Sequence, residues 1–239
     1  MPVCEKRKII FIHIPKCAGT SINKNFYNNT EYYMNVLSAE SDILKNVYFR
    51  SSILCGLGHI ILYIISFIYN PLSKFINNKF LVGHAKLINY KTNNLIKNNI
   101  NYYFIFTVIR NPYSRFFSMY NYLANSLYVN EIEFISYVEE IFINIENDKR
   151  YLWFQPQINF LYNKDNIEID RIIKYENLDK KYNILKKKFD LYDLEHINKS
   201  NKKIYNISDF YKIKNMKKRV YKLYEVDFKI FNYDKHNIN

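Results

Sequence analysis

The chain has 239 residues, of which 49% are hydrophobic and 24% charged, so it can bury the core of one globular domain. Its net charge of +13 suits an anionic partner, although a solvated lysine-rich surface would produce the same balance. Only three cysteines and five histidines occur, without paired or metal-ligand spacing, which excludes a disulfide framework and a zinc site.

The first predicted element is a buried strand over 8–14 (KIIFIHI), a short apolar and β-branched run. This run is too short for a signal peptide, and no cleavage pattern follows it. With no amino-terminal anchor, the sequence predicts a cytoplasmic location. The loop 15–19 (PKCAG) comes next, and Thr20 and Ser21 suit the cap of a helix over about 21–29.

The segment 53–69 (ILCGLGHIILYIISFIY) is the most apolar part of the chain. It lies at the short limit of the roughly 17–25 residues that a membrane-spanning helix needs. A buried or groove-lining helix is favoured, while contact with a membrane surface and a true span stay open. A short strand is then predicted over 80–82, ending at Gly83 and His84.

The run 102–109 (YYFIFTVI) is apolar throughout, as in the central strand of a parallel sheet. It leads to Arg110 and to a helix predicted over about 112–124. Another strand is predicted at 169–174, and further helices at 131–145, 150–162, 178–189 and 216–231. Strands that alternate with helices indicate an α/β sandwich, and without internal repeats or linkers we expect a single domain over 1–239.

A loop that follows a buried strand and begins a helix can bind an anion through its backbone N–H groups. In this loop Lys16 adds a positive charge, Gly19 permits close approach of the backbone, and Thr20 and Ser21 add hydroxyl donors. The loop does not match the nucleotide-triphosphatase pattern GxxxxGK[ST], because its lysine precedes the glycine.

A second candidate anion site lies where the central strand ends. Arg110 leaves that strand at its carboxyl end, where open α/β sheets bind ligands, and Ser118 follows about two helical turns later. A guanidinium with a hydroxyl suits a phosphate dianion, although a solvated helix start would look the same. The two features together indicate one ligand with two separated anionic groups.

These residues resemble a family. FIHIPKCAGTSI and FTVIRNPYSRFFSMYN resemble the phosphosulfate loop and the 3′-phosphate segment of the carbohydrate-type sulfotransferases, which use 3′-phosphoadenosine 5′-phosphosulfate (PAPS). Weaker matches follow in the expected order, in LVGHAKL, WFQPQINFL, IIKYENLDKKYNIL and the last helix. The resemblance implies a three-layer sandwich related to nucleoside kinases, with a P-loop-like phosphosulfate loop. Residues 30–79 match nothing and are predicted to be a substrate-related insertion.

The resemblance also implies roles for individual residues. The 5′-phosphosulfate would lie on the loop formed by Lys16, Cys17, Ala18, Gly19, Thr20 and Ser21. Arg110 and Ser118 would hold the 3′-phosphate. His84 would be the catalytic base, and Lys16 would stabilise the leaving oxygen, so no metal is expected. Other histidines, Glu31 and Asp42 stay open as bases.

The implied reaction is transfer of a sulfuryl group to a hydroxyl of a carbohydrate or glycoconjugate, with no nucleic-acid partner. The acceptor and the oligomeric state are not readable. Two alternatives remain: a nucleotide-dependent kinase of similar fold, and a non-catalytic protein that binds polyanions or membranes. The kinase would need a carboxylate at a strand end, whereas Asp170 opens a strand. Cys17 is expected to pack rather than to act as a nucleophile. Trp153 could line an acceptor groove with Gln155 and Gln157, although core packing is favoured for Trp153.

Overall fold

The computed structural model describes residues 3–4, 6–23, 86–87, 99–127, 130–143, 151–161, 169–194 and 206–238. Three sequence-based expectations fall outside these residues. They are the insertion at 30–79, the apolar segment 53–69 within it, and the short strand at 80–82 with the histidine that follows. These three expectations therefore stay predictions.

The centre of the described fold is a four-stranded, mostly parallel sheet with the order β1-β2-β3-β4. The strands are β1 (Val3–Cys4), β2 (Ile9–Ile12), β3 (Phe104–Ile109) and β4 (Arg171–Lys174). β2, β3 and β4 run parallel, as the apolar runs predicted, while β1 is an antiparallel edge strand that the sequence did not suggest. Every residue of β2 is buried, as expected for a strand covered on both faces.

Eight α-helices have their bounds in the described residues, besides the short 3₁₀-helices Ile100–Tyr102 and Tyr175–Asn177. They are α1 (Gly19–Asn23), α2 (Pro112–Leu127), α3 (Glu131–Ile143), α4 (Tyr151–Phe154), α5 (Ile158–Leu161), α6 (Leu178–Phe189), α7 (Ile207–Lys212) and α8 (Met216–Ile230). The mixed α/β class is confirmed, and α2, α3, α6 and α8 lie close to their predicted ranges.

Three helix predictions need correction. The single helix expected over 150–162 is two short helices, since Pro156 lies between α4 and α5 and has no N–H to continue a helix. α1 begins at Gly19, so Thr20 and Ser21 lie in its first turn and not at its cap. α7 was not predicted; Asn206 caps it by accepting from the Asp209 N–H at 2.8 Å.

Two clusters of buried apolar side chains hold the described fold together. One surrounds the sheet and includes β2, β3 and the inner face of α6. The other is rich in aromatic rings and lies between α2, α3, α4, α7 and α8. Among the described residues, no helix combines the length and the apolar character that crossing a membrane requires.

Candidate functional site

Parallel pairing brings the carboxyl ends of three strands to one edge of the sheet. Ile12 of β2 pairs with Thr107 of β3, and Ile109 of β3 pairs with Lys174 of β4. The turn that follows β2 and the residue that follows β3 therefore leave the sheet side by side. This edge is where an open α/β sheet binds its ligand.

The turn between β2 and α1 has an unusual backbone. Lys16 and Ala18 both lie in the left-handed region, with φ of 65° and 62°, and Cys17 between them does not. Alternating conformations of this kind curl successive N–H groups toward one side, and such concave turns bind anions. The first turn of α1 adjoins this concavity and has N–H groups with no intrahelical partner. The turn thus has the alternating backbone conformation that is typical of anion-binding turns, and within it the Cys17 N–H donates to the Ile14 carbonyl at 3.3 Å.

His13 fills the inner side of this turn. Its ring is 6% exposed, and its Nδ1 lies 3.1 Å from Nδ2 of Asn23 in α1. A Cβ on residue 19 would stand only 1.6 Å from His13 Nε2, so only glycine fits there. Gly19 therefore allows the approach of a packed imidazole, a reason that the sequence did not reveal. A ring buried in this way is poorly placed to act as a catalytic base.

Cys17 points away from the concave side of the turn. Its side chain is fully buried, and its thiol contacts Gln157 Oε1 at 3.3 Å and the Pro15 carbonyl at 3.6 Å. Burial raises the pKa of the Cys17 thiol to about 12, so the thiolate is scarcely populated near neutral pH. A nucleophilic role is excluded by this environment, and packing explains the residue. Any contact of Cys17 with a ligand would have to come from its backbone.

Arg110 reaches from the end of β3 to the turn. Its Nη1 donates to the Lys16 carbonyl at 3.3 Å, and its guanidinium lies over the Tyr175 ring at 4.4 Å. Its Nε is buried and has no hydrogen-bond partner in the described part of the chain. The two sequence motifs therefore meet in space. A buried N–H donor without a partner is a reason to expect an anionic ligand beside it.

Gln157 forms hydrogen bonds with both the N–H and the carbonyl of Arg110. Its Oε1 accepts from the Arg110 N–H at 2.8 Å, and its Nε2 donates to the Arg110 carbonyl, also at 2.8 Å. The buried Asp227 of α8 accepts in turn from the N–H groups of Gln157 at 2.8 Å and Ile158 at 3.0 Å. Burial raises the pKa of the Asp227 carboxyl, while the nearby Arg115 guanidinium and these donors oppose the shift. This network fixes the position of the backbone at the carboxyl end of β3.

Arg115 of α2 holds the turn in place through hydrogen bonds. Its guanidinium is buried and donates to three carbonyls, those of Pro15 at 3.1 Å, Gln155 at 3.0 Å and Trp153 at 3.2 Å. α2 is thus tied both to the turn and to the segment between α4 and α5. Trp153 is buried, in agreement with the expected core packing, and Gln155 and Gln157 are buried as well. Sequence reasoning missed the structural role of Arg115, because helical spacing does not reveal which distant carbonyls lie nearby.

The last described residues pack against the start of α2. The Asn111 amide donates to the Asn237 carbonyl at 3.1 Å, and the Tyr113 hydroxyl donates to the Lys235 carbonyl at 3.1 Å. The Asn111 N–H is bonded to Glu176 Oε1 at 2.8 Å. Glu176 therefore satisfies a donor that precedes α2, and it is not free to serve as a base. The sequence did not suggest this role for the carboxyl-terminal segment.

The remaining candidate site residues lie in different parts of the chain, and the structure describes only some of them. Ser118 is partly exposed on α2, and no hydrogen bond joins it to Arg110. Thr20 and Ser21 lie in the first turn of α1, beside the concave turn. His84 lies outside the described residues, as do Glu31, Asp42, His59 and His196; His236 is exposed in the carboxyl-terminal segment. No group of metal-ligating side chains occurs in the ranges that the structure describes.

Asp170, the carboxylate considered for a kinase, is not at this edge. Asp170 precedes β4, and its Oδ2 accepts from the Ile105 N–H at 2.7 Å, near the amino end of β3. It therefore lies at the opposite end of the strands from the turn that contains Lys16. Its hydrogen bond to the backbone gives it a structural role, and this position could not hold a magnesium ion beside the turn.

Comparison with known proteins gives one match. A family model described as the sulfotransferase family matches residues 1–234, which is nearly the whole chain. No curated protein and no solved structure matches the chain. The match includes both motifs that meet at the sheet edge.

Proposed function

Because this chain belongs to the sulfotransferase family, we propose that it transfers the sulfuryl group of PAPS to a hydroxyl of a carbohydrate acceptor. The observation that carries this proposal is the contact between the two motifs, in which Arg110 Nη1 donates to the Lys16 carbonyl at 3.3 Å. The side chain of Arg110 and the turn that contains Lys16, from distant parts of the sequence, thereby meet at one edge of the sheet. A nucleotide with an anionic group at each end suits this pair.

The residues at the edge fit such a donor. The concave turn at Lys16 and Ala18, with the first turn of α1, would receive the 5′-phosphosulfate. Arg110 would hold the 3′-phosphate, and its buried Nε would gain the partner that it lacks. Ser118, partly exposed on α2, is the proposed second donor to that phosphate. Cys17 is not proposed to donate to the donor molecule, since its thiol is turned into the core and its N–H donates to the Ile14 carbonyl at 3.3 Å.

The proposed chemistry needs only positioning and charge stabilisation. PAPS supplies an activated sulfuryl group, and the acceptor oxygen forms a bond to sulfur as the bond from sulfur to the bridging phosphate oxygen breaks. Lys16 would neutralise the charge that develops on that oxygen. His84 would take the hydroxyl proton, because a histidine has an ordinary pKa near neutrality. The carbohydrate acceptor rests on the resemblance of the motifs and on the basic charge of the chain.

Binding of adenosine 3′,5′-bisphosphate tests this proposal without an acceptor. At about 100 times its Kd, a ligand stabilises the folded state by about 2.7 kcal/mol. For a chain of this size, that stabilisation raises Tm by roughly 5–10 °C. Thermal denaturation with and without the bisphosphate measures the shift. An unchanged Tm at saturating ligand would contradict the proposal, and a shift that needs ATP and magnesium would favour a kinase.

Variants of the two cations separate binding from catalysis. Arg110→Ala is expected to weaken bisphosphate binding roughly 30-fold or more, because it removes a partly buried charge partner. Lys16→Ala is expected to lower kcat about 10²- to 10³-fold in an assay with labelled PAPS and a panel of glycans. Lys187→Ala is the matched control, since Lys187 is exposed on α6. A protein that only binds polyanions would instead respond to all three changes alike.

A further inference from the structure

The ammonium group of Lys16 rests on an aromatic ring. Its Nζ lies 3.9 Å from the centroid of the Tyr122 ring, within the range of a cation–π contact. Tyr122 belongs to α2 and is half-buried. It lies four residues after Ser118, so the two side chains are neighbours on one helix face. The ring therefore belongs to the same helix that follows Arg110.

The ring and the turn are held in a fixed relation to one another. Arg115, also in α2, donates to the Pro15 carbonyl at 3.1 Å, directly before Lys16. The Tyr122 ring packs against Trp153 with centroids 5.8 Å apart, and the Trp153 carbonyl accepts from Arg115 at 3.2 Å. The same guanidinium thus ties both the backbone beside Lys16 and the residue behind the ring. The packed core therefore holds the Tyr122 ring close to the backbone from which the Lys16 side chain extends.

We propose that Tyr122 is a positioning residue for Lys16, whose ring supports the ammonium group in the orientation that meets the departing phosphate oxygen. This inference rests on the proposed function. A lysine side chain loses much rotamer freedom when it is fixed. A ring that restricts the side chain before the donor binds reduces the entropic cost that donor binding must offset.

The backbone of Lys16 is left-handed, so the contacts around this residue, including the Tyr122 ring, also matter for the turn. A non-glycine residue with φ of 65° is strained, so the turn must be held by its surroundings. Tyr122 contacts the side chain of Lys16, and Arg110 binds its carbonyl. Without the ring, we expect the ammonium to lose the contact that holds it over α2 while the backbone stays in place. The loss should therefore appear in catalysis more than in folding.

A graded series at position 122 tests the proposal. Tyr122→Phe keeps the face of the ring, and incorporation of mono-, di- and trifluorinated phenylalanine weakens its electrostatic attraction for a cation in steps. Tyr122→Leu removes that attraction while keeping an apolar side chain. We expect kcat/KM for PAPS to fall stepwise with fluorination and by roughly 2- to 30-fold in Tyr122→Leu. A role in packing alone would leave the fluorinated series level.

Two further measurements keep the result independent of turnover. Lys16 ε-methylene protons should be shifted upfield in the NMR spectrum of the free protein, because they lie over a ring, and Tyr122→Leu should abolish the shift. Phe104→Leu is the control, since it removes a ring 4.4 Å from Lys188 at the other end of β3, and it should not change kcat/KM. Equal kcat/KM in Phe, trifluorophenylalanine and Leu variants would overturn the proposal, as would a Lys16 signal unaffected by Tyr122→Leu.

Binding of adenosine 3′,5′-bisphosphate by the wild-type protein distinguishes a failure of this inference from a failure of the proposed function on which it rests. If the wild-type protein binds adenosine 3′,5′-bisphosphate and transfers sulfate, but the series at position 122 is level, only the role of Tyr122 is wrong. If the wild-type protein binds no bisphosphate, the proposed function fails, and the NMR shift still reports whether the ring holds Lys16.

Discussion

The close approach of His13 to Gly19 makes a strong prediction for Gly19→Ala. Gly19 begins α1, and none of the described glycines has a positive φ, so helix propensity alone predicts that alanine is more stable by about 1 kcal/mol. The structure predicts the reverse. The new Cβ would stand 1.6 Å from Nε2, 1.8 Å from Cδ2 and 2.4 Å from Cε1 of the His13 ring.

The cost follows from how firmly the His13 ring is held. Non-bonded carbon and nitrogen atoms need about 3.5 Å, so the ring would have to move by about 2 Å. The ring is buried, contacts Asn23 and stacks on Phe11 with centroids 5.8 Å apart. Overpacking of this kind costs typically 1–3 kcal/mol, and a lost hydrogen bond adds about 1 kcal/mol. After the gain in helix propensity, we expect Gly19→Ala to lower the free energy of unfolding by roughly 1–3 kcal/mol.

A double-mutant cycle measured by urea denaturation tests this argument. In a His13→Ala background the added methyl has space, so Gly19→Ala should be neutral or stabilising there. The difference between the two backgrounds should reach at least about 1 kcal/mol, which exceeds the usual deviation from additivity. Bisphosphate binding by Gly19→Ala should weaken in parallel, because the turn beside the ring is displaced. A free energy of unfolding equal to that of the wild type would refute the reasoning, and so would the same loss in both backgrounds.

Three other outcomes follow from the buried network. Arg115→Lys should lower the free energy of unfolding by at least about 3 kcal/mol, since one ammonium cannot reach the three carbonyls that the guanidinium serves; urea denaturation measures this. Gln157→Glu should destabilise the fold by about 2 kcal/mol or more and weaken bisphosphate binding, because a second carboxylate would face Asp227 and the Arg110 carbonyl; the thermal assay reports both. Cys17 should resist alkylation at pH 8 in the native protein but react once urea unfolds it, which peptide mass spectrometry can follow. The folded pKa of the Cys17 thiol lies above its unfolded value, so its contribution to stability is present below about pH 9 and is lost as pH rises toward about 12.

The sequence predicted the elements that carry long apolar runs. β2, β3 and β4 and the helices α2, α3, α6 and α8 were found near their expected bounds, because burial on one or both faces dictates residue periodicity. The break between α4 and α5 could have been read from Pro156. The strand β1 could not, since two residues carry no periodicity.

Part of the candidate site was readable in the same way. Lys16 and Arg110 stood out because each follows a predicted strand, and parallel strands end at one edge. The residues that hold Lys16 and Arg110 in place were not identified from the sequence. Asp227 lies within an amphipathic helical pattern, and Gln157 and Tyr122 carry no local signal that connects them to a turn more than a hundred residues earlier. His84, Ser118 and the insertion at 30–79 stay predictions.

The sequence alone determined the class of fold, the two cationic motifs and their order, because these depend on local periodicity and on charge next to strand ends. Only the tertiary structure decided that Gly19 makes room for His13, that the Cys17 thiol faces the core, and that Lys16 rests on Tyr122. The physical reason is that each of these facts is a contact between residues on separate elements. Such contacts arise from how the elements pack, and spacing along the chain contains no record of them.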